Sequence, residues 1–415
     1  MRTPGLVEHF FRREYGVLVA ALSRRVGVQH IGAVEDAVQG ALMSALETWT
    51  IGGLPHNPSG WLFRAAHNRL MGELRQRAAR RRILERDAPE GIGAHESPPE
   101  VFLAGEVRDD LLRMLFVCCD EAVVEESQLV FALKTLCGFS IREIALRLFI
   151  SDANVYKRFG RARSRLRKHP PRDLGAEECA SRLPAVHKTL YLLFTEGYLS
   201  SYAEMAIRRE LCDEAIRLAA LLAEHPVGQA PETFALLALM HLHAARISAR
   251  QDASGGLLLL EEQNRKLWDR QQIQTGLEWL AKSAQGERFS RYHAEAGIAA
   301  EHCLAPSFQE TRWDKVAQCY SLLERFAPSA VHTLNRAIAV AEWQGPAAGL
   351  DVLKGLEPPT WLAGSYLWSA VLADLYRRCG NAQAAMRYRD AALESAPTEA
   401  VRVLLQRRLK IGAVG

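Results

Sequence analysis

The chain has 415 residues, 48% hydrophobic and 24% charged, with a formal net charge of +4. That is ordinary globular composition, enough for roughly two to four domains, and it excludes a disordered chain, a collagen-like fibre and a small disulfide scaffold. No apolar run approaches the about 20 residues of a membrane span, charge breaks the N-terminal stretch before any leader pattern forms, and eight scattered cysteines form no CxxC pair. The expectation is a cytoplasmic protein with reduced thiols, no metal site, no cofactor and no membrane partner.

The charge is unevenly spread. Residues 1–169 hold 25 Lys+Arg against 20 Asp+Glu, whereas residues 170–415 hold 27 against 28. The excess collects in two bursts, eight arginines between 64 and 86, and an acid-free run from Lys157 to Lys168. Two basic segments in a balanced chain read either as solvated helix faces or as the footprint of a polyanion.

Nearly every segment has apolar residues at three-and-four spacing, so the predicted class is all-α. Residues 5–50 read as two or three helices, punctuated by Gly27 and Gly32. The stretch 51–58 (IGGLPHNP) is a loop, and Ser59 suits the N-cap of a helix running through the arginine cluster. Residues 87–100 (DAPEGIGAHESPPE) have a linker's composition. A second helical unit follows and is closed by Pro170-Pro171. From 177 onward the chain is a succession of Ala/Leu-rich helices. In its last part, Gly380 is the expected turn between a helix carrying Leu372, Ala373 and Tyr376 and one carrying Ala385, Ala392 and Leu393. Small residues at such positions let antiparallel helices approach closely, which resembles a tetratricopeptide (TPR) repeat.

The strongest local signal lies at 138–168. A short helix (IREIALRLF), a turn at Ile150-Ser151 and a basic second helix give the helix-turn-helix layout. Asp152, Ala153, Asn154, Tyr156, Lys157 and Arg158, at the start of the second helix, are placed to face base edges. Arg161, Arg163 and Arg165 are placed to meet phosphates. An ordinary hairpin with a charged face is the alternative reading.

The segment ESQLVFALKTLCGFSIREIALRLFISDANVYKRFGRARSRLR (126–167) resembles region 4 of the extracytoplasmic-function (ECF) sigma factors of the sigma-70 family. VEDAVQGALMSALETW (34–49) is similar to their region 2 helix that docks on core RNA polymerase, and NPSGWLFRAAHNRLMGELRQR (57–77) to their promoter-melting segment. The stretches YLLFTEGY, LCDEAIRLAALL, LLALMHLHAAR and LNRAIAVAEWQGPAAGL resemble an ECF subgroup with a long TPR-like extension. The resemblance implies polymerase docking through Asp36 and Gln39, with Gly40 standing where most relatives have an acid. It implies capture of the melted promoter element near Trp61, Arg64 and Asn68, with Arg75 and Arg77 on phosphates. Trp61 also fits simple core packing. Asn68 offers donor and acceptor together, as a flipped base edge requires.

The expected organisation is therefore region 2 at 1–86, a linker at 87–107, a region 4 helix-turn-helix at 108–169 and a TPR-like helical extension at 175–415. The expected partners are core RNA polymerase and promoter DNA, with an intramolecular contact between the extension and the sigma domains. No catalytic constellation is present, so no enzyme is expected. A helix-turn-helix regulator with a TPR-like sensor, independent of polymerase, is the alternative.

Overall fold

The three-and-four apolar spacing is carried out as helix throughout. The computed structural model describes residues 4–84, 104–148, 150–168, 176–199, 207–253, 255–286, 288–396 and 399–409. Among these there are nineteen α-helices and no strand; a single antiparallel bridge pairs Gln251 with Leu257. The all-α expectation is met. The linker expected at 87–107 lies outside the described residues up to 103, as does the Pro170-Pro171 pair. Contacts divide the chain into two compact units, Met1–Glu196 with Asp213–Gly228, and Gly197–Cys212 with Gln229–Gly415.

In the first unit, α1 (Pro4–Val26), α2 (Ile31–Gly52) and α3 (Pro58–Leu84) form a bundle. Gly27 breaks α1 from a short 3-10 turn at φ +88°, a conformation other residues adopt only with strain. The cap of α3 is Asn57, not Ser59: its Oδ1 accepts the Gly60 N–H at 2.8 Å. The Ser59 hydroxyl instead hydrogen-bonds Glu14. Leu18 and Leu22 of α1, Val34 and Val38 of α2, and Leu62 and Phe63 of α3 are sealed from solvent. Each such side chain contributes about 1.5–3 kcal/mol of burial.

The chain continues through α4 (Ala104–Cys118), α5 (Glu125–Thr135), α6 (Ile141–Leu148) and α7 (Asp152–Lys168). Phe131, Phe139, Ile144, Val155 and Leu166 form their shared core. This group packs on the bundle. Gly16 of α1 lies so close to Leu136 that a Cβ there would stand 2.3 Å from its carbonyl oxygen. Arg24 pairs with Asp110 at 2.7 Å, and Arg12 with Glu143 at 3.3 Å. Cys118, at the end of α4, and Cys119, just beyond it, are both buried. Two further helices, α8 (Ala176–Tyr198) and α9 (Arg209–Glu224), contribute most of their length to this unit. Arg182 of α8 is buried with Asp120 at 2.8 Å, and donates to the Phe116 carbonyl at 3.1 Å.

The second unit is built of helical hairpins: α10 (Pro231–Ala244), α11 (Arg270–Ser283), α12 (Arg291–Leu304), α13 (Trp313–Phe326), α14 (Ala330–Gln344), α15 (Pro346–Leu353), α16 (Thr360–Ala363), α17 (Tyr366–Arg378), α18 (Ala382–Glu394) and α19 (Glu399–Arg408). Alanines stand at the crossings. Ala339 meets Val316 and Ala294, and Ala373 meets Ala392 and Leu405. Gly380, at φ +78°, makes the turn between α17 and α18.

Trp268 is buried, with the Arg265 guanidinium 4.4 Å and the Arg246 guanidinium 5.3 Å from its ring centre. Two histidines sit nearby. Burial, reinforced by Arg246 and Arg250, pushes His243 down to about 3, and burial with Arg246 and Arg265 pushes His302 down to about 3. Both are therefore neutral in the folded chain, whereas an unfolded histidine takes up a proton below its ordinary pKa of about 6.5. The unfolded state binds the extra protons, so stability falls as pH drops from about 6.5 toward 3, by about 1 kcal/mol per histidine at pH 5.5. Thermal melts of the full chain at pH 7.5 and 5.5 should show this loss, and His302→Gln should lessen it by about one histidine's share. A melting temperature independent of pH over that range would contradict the assignment.

Candidate nucleic-acid interface

The capping pattern of the helix-turn-helix explains its geometry. Ser140 Oγ accepts the Glu143 N–H at 3.2 Å while Glu143 accepts the Ser140 N–H at 2.6 Å, a reciprocal box that starts α6. Gly138, at φ +63°, turns the chain out of α5. Ser151 Oγ then accepts the Asn154 N–H at 3.3 Å and starts α7. Ala145 is buried where α6 and α7 cross, and Val155, Phe159, Ala162 and Leu166 form the inward stripe of α7. The Phe159 ring lies 5.6 Å from that of Phe131 in α5.

That inward stripe dictates what faces out. Asp152, Ala153, Asn154, Tyr156, Lys157, Arg161 and Arg165 are exposed, and Arg158 is half-buried. Lys157, Arg161 and Arg165 recur every fourth residue, so they form one row opposite the buried stripe. Arg163 departs from that row. It is half-buried, its guanidinium lies against α2, and a Cβ on Gly32 would stand 1.7 Å from its terminal nitrogen.

On α3, Arg64, Asn68 and Arg75 are exposed and share one face with Trp61. Trp61 is half-buried, packed edge-on against Trp49 at 5.5 Å, and Trp49 stacks on Phe11 at 5.9 Å. The indole is thus part of an aromatic wall, with an edge left toward the exposed face. Arg77 points away from that group. At 100° per residue it sits roughly 160° around the helix from Trp61, where it pairs with Glu73 and lines a cavity beside α7. On α2, Asp36 and Gln39 are both exposed, and Gln39 also hydrogen-bonds the Tyr15 hydroxyl.

Comparison with known proteins bears on this surface. Residues 125–166 match the family described as sigma-70, region 4. Residues 182–284 match a family of unknown function (DUF6596). An uncharacterized protein of Rhizobium meliloti (strain 1021) is 34% identical over 384 residues, 91% of this chain and 90% of that protein. The chain belongs to one family with that Rhizobium protein. Its region 4 supports membership of the sigma-70 family. No solved structure matches the chain. The helix-turn-helix of α6 and α7 thus falls within the matched region 4, and α10 lies wholly within the family of unknown function.

Two features of this surface were not legible in the sequence. Gly40 reads as a missing acid, but in the fold it makes room for Arg69. A Cβ there would meet the Arg69 guanidinium at 2.9 Å, and that side chain reaches Ser44 Oγ at 2.6 Å, tying α3 to α2. Glu35, unremarkable in sequence, is buried between α1, α2 and α5. It accepts from Tyr15 at 3.5 Å and from Thr135 at 3.3 Å, and burial raises its pKa despite the nearby Arg163 and Lys134. Spacing alone reports neither, because both depend on which helix comes to lie alongside.

Proposed function

We propose that the chain is an ECF-type alternative sigma factor that binds core RNA polymerase and directs promoter recognition and transcription initiation. The observation that carries the reading is the region 4 match at 125–166, lying on a helix-turn-helix whose second helix exposes a basic row. In this reading α7 meets the upstream promoter element as duplex, with Asn154 and Arg158 toward base edges; Lys157, which the sequence placed toward base edges, instead joins Arg161 and Arg165 on phosphates because the three share one exposed row. The exposed face of α3, with Arg64, Asn68 and Arg75, takes the melted strand, and the edge of Trp61 supplies a wall for an unstacked base. Asp36 and Gln39, exposed on α2, dock on the polymerase. The helices from α8 onward form the TPR-like extension. Its first helix braces region 4 through Arg182 and Asp120, and it regulates the sigma domains. The chain acts in the cytoplasm.

The test is co-elution of the purified full-length chain with core RNA polymerase on a sizing column. A stoichiometric complex, lost when Asp36 and Gln39 are both replaced by alanine, is the expected result. No complex would leave a helix-turn-helix regulator that binds DNA without polymerase.

A further inference from the structure

Between α7 and the turn that opens α2 lies a cavity of about 300 Å³, the volume of roughly ten waters. Gly160, Arg163, Ser164 and Arg167 line it at i, i+3, i+4 and i+7, which makes them a single stripe along α7. Arg77 of α3 closes another wall, and Gln29 with His30 forms the rim. Among the described residues, no acidic one lines it. The floor is the first turn of α2, a 22-residue helix with no acid in that turn and no side-chain cap on its amides. Gly32 lets the Arg163 guanidinium lie directly on this backbone.

Three guanidinium groups from two helices therefore converge on one helix N-terminus, with a hydroxyl between them. Glu73 pairs with Arg77, and Glu35, which accepts from Tyr15 and Thr135, lies within electrostatic reach of Arg163. An anion with several oxygens suits the basic lining that remains, because guanidinium forks pair with phosphate oxygens two at a time and the helix-terminal amides not already bonded add fixed donors.

We propose that this cavity binds a compact diphosphate-class anion, held by Arg77, Arg163 and Arg167 over the N-terminus of α2. The site needs α7 and α2 together, so the bound anion stabilises their packing. The inference rests on the geometry of the first unit and not on polymerase binding, so either can fail alone.

The test is isothermal titration of the full-length chain with inorganic pyrophosphate, and in a second arm with a nucleoside diphosphate. Sodium sulfate at equal ionic strength is the control. Gln29→Glu places a carboxylate on the rim, and Arg167→Gln removes one fork. Both positions are exposed, and a circular dichroism melt checks that each variant is folded. The expected result is saturable one-to-one binding, weakened about tenfold or more by either variant, as loss of a charge-assisted contact entails. Tighter binding of the nucleoside diphosphate identifies a nucleotide as the source; equal binding identifies the bare diphosphate; both uphold the site. Heat that follows ionic strength alone, or affinity unchanged in both variants, overturns it. So does pyrophosphate that fails to bind while a single-stranded oligonucleotide binds through Gln29 and Arg167, since the cavity would then belong to nucleic acid.

Discussion

Replacing Lys157, Arg161 and Arg165 together by alanine is expected to weaken duplex DNA binding by about two to three orders of magnitude at low salt, through the loss of three phosphate contacts. All three side chains are exposed on α7, opposite Val155, Phe159, Ala162 and Leu166, so their removal leaves the helix seated. The more diagnostic quantity is salt dependence. Each neutralised phosphate contributes about 0.9 to the slope of log affinity against log salt, so the slope should become shallower by about 2.7. Fluorescence anisotropy with a labelled duplex at several salt concentrations measures both. An unchanged slope would mean that this row of α7 does not face DNA. Asn154→Ala acts differently in the same assay. It should narrow the gap between preferred and random duplex while leaving the slope in place, because a base-edge contact specifies and a phosphate contact positions.

How much of this surface the sequence disclosed depends on the kind of signal. Helices are legible because their apolar spacing is local, whereas the row Lys157, Arg161 and Arg165 emerges only once the fold shows Val155 and Phe159 as the inward side. The turn at Gly380 was legible for the same reason, since a positive φ between two amphipathic runs leaves few other residues. Arg163 was not. In the acid-free run it looks equivalent to Arg161 and Arg165, yet it is two residues from either, hence on another flank of α7, and its surroundings are set by Gly32, 131 residues earlier in the chain. Arg77 separated from Arg64 and Asn68 by the same arithmetic, which spacing could have shown. The cap of α3 was misassigned because Asn57 and Ser59 are both good cap residues, and only the course of the backbone decides between them.

The use of Gly32 connects the site to the fold. A glycine in the first turn of a long helix costs about 1 kcal/mol of helix propensity relative to alanine. In this place it admits a guanidinium onto the helix backbone, and Gly40, two turns later, admits Arg69 in a similar way. Gly32 and Gly40 therefore exchange helix propensity for contact with a basic neighbour. The side chains that would have covered α2 there are absent so that arginines can cover it.

The second large effect concerns the joint between α4 and α8. Arg182 and Asp120 form an ion pair at 2.8 Å, with side chains only 10% and 12% exposed. Asp120 also accepts the Ala122 N–H at 2.9 Å, and its own carbonyl accepts from Gln128 at 2.8 Å, so the pair is anchored in the loop that leads into α5. Removing one member of a buried pair strands the other charge, at a cost of about 3–5 kcal/mol. Arg182→Met should lower stability by that amount and shift the midpoint of urea unfolding accordingly. The double variant with Asp120→Asn should recover most of the loss. The neutral amide keeps an oxygen for the Ala122 N–H and leaves no unpaired charge, and the methionine fills the space of the arginine stem. Non-additivity of this size is the mark of a direct pair. If the two substitutions were instead simply additive, Arg182 would stabilise α8 by packing alone, and the bracing of region 4 by the helices that follow it would have to be sought in other contacts.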